Sequence, residues 1–394
     1  MNREYTYNQA KLELRSFITN DIKKYSKLRN FDFGIRDRSN VSNLSKYVSH
    51  RIIDEYEIIR EVLKNYSYAE VEKFVQEVFW RIYWKGWMEH RSQVWDDFIN
   101  SEPLITDEKI YLAALSGRTN IKCFNEWVFE LKEHNYLHNH TRMWFASIWI
   151  FTLNLPWELG AKFFMENLYD GDAAVNTLSW RWVAGIQTKG KHYLAKAWNI
   201  NKFSGERFSL CSLNENAPPK EESKTYFIEG VNPDLFTNSK HKILIVFESD
   251  LSFNNRESFF KKYDQIFLVC LTNNERKIKL ADEVLGFKQY LMSQFCGKLD
   301  NCRIINVVEL KRILQSTKGV DVIYPFIGEN LTYLKTLVAK NNGILRFISR
   351  MQDLHCWKYS KKGFFNFKKN IPNIIDDLKL EKHDCNTGHQ YRLM

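Results

Sequence analysis

No C-x-x-C pair occurs anywhere in these 394 residues, although seven cysteines (123, 211, 270, 296, 302, 356 and 385) are scattered along them. That argues against a zinc ribbon or an iron–sulfur cluster and suits reduced thiols in a cytoplasmic protein. Long hydrophobic runs are missing too. The longest, MWFASIWIFTLNLPW, is interrupted by Asn154 and Pro156, too short to span a bilayer, and reads as a buried helix. The start, MNREYTYNQAKLELRSF, is charged and offers no signal peptide, so no membrane partner is expected. Neither G-x-G-x-x-G nor G-x-x-x-x-G-K-[ST] follows any strand-like run, which leaves no sequence evidence for a Rossmann dinucleotide or P-loop site. There is no internal repeat and no low-complexity segment. Acidic residues are in deficit, 47 against 57 lysines and arginines, for a formal charge of +10. A polyanionic partner such as nucleic acid fits that balance.

Tryptophan is nearly absent from the second half. Of twelve, eleven lie between Trp80 and Trp198, and Trp357 is the other. Such uneven usage in a chain long enough for two cores predicts two domains. Residues 1–210 read as helical: AEVEKFVQEVFWRIYWKGWMEH has apolar residues at 71, 74, 75, 78, 79 and 82, one buried face of a helix. Residues 211–240, with Pro218, Pro219 and Pro233 among polar residues, read as a linker. Beyond it HKILIVFESD, YDQIFLVCLT, CRIINVVEL and VDVIYPFIG are short β-branched runs separated by helix-length stretches. They predict an α/β domain with a parallel sheet over residues 241–378 and a tail over 379–394.

Three stretches of the helical half carry chemistry. Glu77 and Arg81 are four apart with Trp80 beside them, either an exposed ion pair or a buried pair needing a ligand. In YLHNHTRMW, His134, His138 and His140 could suggest a metal site, but a zinc helix would want H-E-x-x-H and position 135 is Asn. No metal is expected there. Asn139 and Arg142 share a face instead, with Met143 beside them. LYDGDAAVNTLSWRW sets Asp170, Asp172 and Asn176 close to Trp180 and Trp182. Acids, amides and an arginine among indoles fit a large heteroaromatic ligand with phosphates and hydroxyls.

In order and spacing these stretches resemble the FAD-binding domain of the photolyase/cryptochrome family, from about Tyr25 to Phe208. FVQEVFWRIYW looks like F-x-x-E-L-x-W-R-x-F-Y, YLHNHTRMWFAS like W-M-H-N-R-x-R-M-x-x-A-S, and LYDGDAAVNTLSWRWVAG like L-x-D-G-D-x-A-x-N-x-x-x-W-Q-W-x-A-G. VSNLSKYVS is similar to T-S-x-L-S-P-Y-L-x-x-G, with Thr, Pro and Gly replaced.

The resemblance implies an all-α FAD-binding domain. Tyr25, Ser42, Leu44 and Ser45 would contact the FAD phosphate side. Glu77, Arg81, Asn139, Arg142, Asp170, Asp172 and Asn176 would line the rest of the cofactor, with Asn176 at the flavin N5. It further implies repair of cyclobutane pyrimidine dimers, flipped out of DNA and split after electron transfer from excited reduced flavin. A neutral Glu77, Asn139 and Met143 would line the lesion pocket, and Trp80 and Trp182 would pack on the dimer. Arg29 and Lys196 would contact the DNA backbone. Trp180 and Trp157 would be the proximal and middle members of an electron chain whose usual distal tryptophan falls at Ala114. The rival expectation is a cryptochrome-like blue-light photoreceptor that binds FAD without repair. One departure concerns domain order. HKILIVFESDLSFNNRESF looks like the opening of the family's antenna domain, and KYSKKGFFNFKKNIPNII like the segment leaving it. Both follow the FAD-binding half, which suggests a circular permutation, an α/β antenna-like domain with an antenna chromophore of unspecified identity, and a monomer.

Overall fold

The computed structural model describes residues 5–208, 212–231, 235–254, 256–338 and 344–381; most of the expected tail, 382–394, lies outside the described residues. The helical half is organised around a 22-residue helix, Tyr68–Glu89. Its start follows from local chemistry, because Ser67 and Glu70 form a reciprocal capping box that satisfies donors the first turn would leave open. Val71, Phe74, Val75, Phe79 and Ile82 are buried along it, the stripe that the sequence spacing predicts. The apolar run after Asn139 is also buried and helical, over Asn139–Ser147 followed by a π-helical turn, Ile148–Thr152. It stops where Asn154 takes a left-handed backbone, φ 50°, just before Pro156. Helix Trp157–Asn167 returns, and helix Ala173–Ala184 begins at Asp172, whose side chain accepts hydrogen bonds from the Ala174 and Val175 N–H groups.

The second half is a six-stranded sheet with helices between its strands. The strands are β1 (Leu235–Phe236), β2 (Ile243–Phe247), β3 (Gln265–Val269), β4 (Cys302–Ile305), β5 (Val320–Ile323) and β6 (Leu345–Ile348). Their order is β1-β6-β5-β2-β3-β4, and every neighbouring pair is parallel. β2 is central and buried from Leu244 to Phe247, as its unbroken apolar run requires. Three details depart from the expectation. β1 comes from the segment read as linker, β6 carries no strong alternation, and CRIINVVEL divides into β4 and a helix. That division is made by Asn306, which accepts from the Val308 and Glu309 N–H groups and so caps helix Val307–Ser316.

The two halves share one apolar cluster that includes Phe79 and Met88 together with Leu244, Phe364 and Ile374. Gly86 sits at the contact: a Cβ there would lie 2.4 Å from Trp357 Cδ1, so only glycine lets the halves close. A buried ionic cluster also joins them. Arg51 donates both terminal nitrogens to Asp353, each at 2.7 Å, and Arg350 bridges Asp250 at 2.6 Å and Asp54 at 2.5 Å. Among the described residues no helix is long and apolar enough to cross a membrane.

Candidate functional site

Three helices aim their motif residues at one cavity of about 710 Å³. From the long helix come Glu77, Trp80, Arg81 and Trp84, and from helix Asn139–Ser147 come Asn139, Arg142, Met143 and Ala146. Each set is spaced i, i+3, i+4, i+7, so each is a single helical stripe. Helix Ala173–Ala184 adds Asn176, Ser179, Trp180 and Val183 on the same spacing, with Trp182 at the edge. The expected residues Arg29 and Asp170 also line this cavity. Phe164, Tyr193, Asn199 and Phe203, which are not among the expected motif residues, also stand in the wall. The pair Asn199 and Phe203, four apart in helix Ala197–Phe203, was the available signal.

Charge is paired around the cavity. Arg142 donates to the buried Asp170 carboxylate at 2.9 Å. Burial alone would push the Asp170 carboxyl up, but Arg142 beside it outweighs that and holds it below the usual carboxylate range. Asp172 is placed differently from the expectation. It walls a separate crevice and pairs with Arg81 at 2.8 Å and Lys85 at 3.3 Å. Burial opposes its charge, and those two cations with the helix N–H groups overcome it, holding Asp172 far below the ordinary value. Asn176 donates its Nδ2 to the Ala161 carbonyl at 2.9 Å, which orients the amide at the cavity wall.

Other expectations need correction. Glu77 accepts from Arg29 at 2.8 Å and has Lys73 at 3.6 Å, so it sits in an ion-paired cluster in which Arg29 is engaged. One face of Trp80 is covered by Phe364 from the second half, stacked at 3.5 Å; no sequence pattern linked residues so far apart. Tyr25 lines neither large cavity and packs edge-on against Phe17 and Phe74. Ser42 lines a neighbouring cavity of about 900 Å³ that shares Asp170 with the first. Leu44 is buried, and so is Ser45 Oγ, which lies close enough to Asp170 to help hold its carboxyl down. Trp180 meets Trp149 edge to face at 6.3 Å, and Trp149 meets Tyr111 at 6.1 Å. Trp157, expected next to Trp180 in a chain, stacks instead on Phe98 at 5.6 Å. Lys196 is exposed. The histidines hold structure: His138 caps its helix through the His140 N–H, and His140 contacts the Asn30 carbonyl at 2.8 Å. No metal-binding group of three occurs among the described residues.

The crevice beyond the carboxyl ends of β2 and β5, where strand order reverses, is where open α/β sheets bind ligands. Here it measures about 70 Å³ and is crossed by Glu248, which pairs with Arg276 at 2.7 Å and accepts from Asn330 at 3.0 Å. An antenna chromophore does not fit that crevice.

Residues 74–208 match the FAD binding domain of DNA photolyase. A deoxyribodipyrimidine photo-lyase of Buchnera aphidicola subsp. Baizongia pistaciae is 26% identical over 266 residues, 60% of this chain and 54% of that protein. Cryptochrome-1 of Arabidopsis thaliana is 31% identical over 91 residues, 23% of this chain and 13% of that protein. The crystal structure of a bacterial class III photolyase from Agrobacterium tumefaciens matches with a TM-score of 0.44 and 25% identity, covering 51% of this chain and 43% of that one. The chain thus spans about half the length of the first of these relatives, 54%. The matching segment contains most of the motif residues that line the cavity, and through it the helical half is similar to the FAD binding domain of DNA photolyase.

Proposed function

We propose that the protein binds FAD in the 710 Å³ cavity and repairs cyclobutane pyrimidine dimers in DNA under light. The observation that carries this reading is the convergence of Glu77, Trp80, Asn139, Met143 and Trp182 with Arg142, Asp170, Asn176 and Trp180 on one cavity. Cofactor sites span ~300–1,000 Å³, and an arginine–aspartate pair, an oriented amide and indole walls suit a flat, polar-edged ring. Bound FAD supplies a light-absorbing ring able to give up one electron. Arg142, Asp170 and Asn176 would hold it, with Ser42 at the neighbouring cavity for its anionic part. The Asn139 amide and the Arg29–Glu77 pair stand where a flipped dimer would enter, and preorganised polar groups stabilise charge that develops there. Trp182 and the uncovered face of Trp80 would flank the lesion. Blue-light irradiation of the flavin-loaded protein with a dimer-bearing oligonucleotide should restore the two pyrimidines, read by chromatography. Flavin photochemistry without any dimer loss would favour the photoreceptor instead.

The α/β half is read as an antenna-type domain displaced behind the catalytic one by circular permutation. The central position of β2 and the docking of helix Phe364–Lys368 against the long helix through Trp80 support it. Moving residues 241–381 ahead of residue 5 through a flexible linker should leave a chain that folds and retains flavin. A rearranged chain that is insoluble or flavin-free at every linker length would sink the permutation and leave the FAD site standing.

A further inference from the structure

Helix Ala197–Phe203 has two faces with different surroundings. Asn199 and Phe203, four apart, wall the cavity. Trp198 and Lys202, also four apart, share the adjoining exposed face, about 100° round the helix, where Trp198 is 60% exposed. Lys196, at the helix start, is exposed as well. A single exposed apolar residue needs no explanation, but this one has company. Phe33 is 38% exposed and stacks at 5.5 Å on Phe31, which packs against Phe203 at 4.9 Å. The acids of this side are largely engaged. Asp32 is buried against Arg207 at 3.2 Å, and Glu215 accepts the Ala197 N–H at 2.8 Å, leaving Glu206 exposed. Indole and phenyl faces beside exposed lysines, Lys202 lying over the Phe203 ring at 5.5 Å, match the stacking and phosphate contacts of nucleic acid.

We propose that Trp198, with Lys196 and Lys202, is a docking ledge for the DNA strand at the cavity mouth, the indole stacking on a base next to the extruded dimer. The inference rests on the repair reading above. Extruding a dinucleotide exposes the flat face of a neighbouring base, and the adjoining face of the same helix already walls the cavity that would receive the dimer. The lysines neutralise phosphates on either side, while the indole acts only where stacking has been broken. The ledge therefore discriminates damaged from intact duplex.

The test uses the full flavin-loaded chain and two duplexes identical except for one thymine dimer. Trp198→Ala should weaken binding to the damaged duplex about tenfold, within the stacking range for one base. It should change binding to the intact duplex less than about twofold and leave flavin absorbance unaltered. Trp198→Phe should recover most of the loss, because a phenyl ring still stacks. Lys202→Ala should lower both affinities alike and reduce the salt dependence by about one phosphate. If wild type discriminates the duplexes and splits the dimer while Trp198→Ala does both equally well, the ledge is wrong and the repair reading survives. If wild type itself neither discriminates nor splits, both fall.

Discussion

At the residue scale, Asp172 shows how one carboxylate serves several roles. It caps helix Ala173–Ala184 through two N–H groups and is the charge partner of Arg81 and Lys85. Arg81 also reaches Glu55 at 3.2 Å, and through it the ionic cluster at Arg51. Replacing Asp172 by alanine removes the cap, worth ~0.5–2 kcal/mol, and leaves a buried lysine without its carboxylate, which costs a few kcal/mol more. Asp172→Ala should therefore lower the unfolding midpoint substantially and reduce flavin retention by loosening the helix that carries Asn176 and Trp180. Asp172→Asn keeps an acceptor for the cap and should be milder in both measurements. A variant that melts like wild type would show that this pairing contributes nothing. Because the folded-state pKa is depressed, the stability Asp172 provides is present above the ordinary carboxylate pKa and is lost as pH falls through the folded value.

At the element scale, the helices around the cavity position side chains by stripe, and ring packing sets which indoles lie in contact. Gly160 lets the wall close on Trp180, since a Cβ there would sit 2.4 Å from its ring. The rings in file are Trp180, Trp149 and Tyr111, and Tyr111 stands on helix Glu108–Ser116 one turn before Ala114. We expect electrons to enter the cavity along this file, drawn from an added thiol reductant through the half-buried Tyr111. Trp149→Phe should slow light-driven bleaching of oxidised flavin at least several-fold, while Trp157→Phe should affect it less. The opposite ranking, measured under the same lamp and thiol concentration, would restore the route through Trp157.

At the scale of the whole molecule, the halves meet across polar as well as apolar contacts, and one of those is sensitive to pH. Glu89 is buried on the long helix, where it accepts from the Tyr324 hydroxyl at 2.6 Å and the Ile327 N–H at 3.0 Å. Burial pushes its carboxyl up from 4.5 to about 7, although both hydrogen bonds oppose the rise. A raised pKa means the folded state holds this proton more tightly than the unfolded one. Its contribution is complete below about 4.5 and disappears as pH climbs through about 7. A shift of that size corresponds to roughly 3 kcal/mol at most. Glu89→Gln should flatten the stability–pH profile between those limits and make the protein relatively more stable than wild type at mildly alkaline pH. Denaturant midpoints across that range decide it, and parallel curves for the two proteins would remove Glu89 as the cause.

The features readable from residue order were local and periodic. The pairs Glu77/Arg81 and Asn139/Arg142 were legible because residues three or four apart share a helix face, and with Asp170, Asn176 and the nearby indoles their residue types suggested a polar-edged aromatic ligand. The buried strands were legible from apolar runs such as ILIVF. Contacts between distant positions were set by how the chain packs. It set Phe364 on Trp80, Arg29 on Glu77, Trp149 rather than Trp157 on Trp180, and the Glu248 ion pairs across the sheet crevice. The two-residue strand β1 pairs only because β6 lies beside it. Such contacts depend on packing between separate elements, which short-range periodicity does not encode. A side chain's helix face follows from its neighbours in sequence, but the partner that meets that face is set by how whole helices and sheets close on one another.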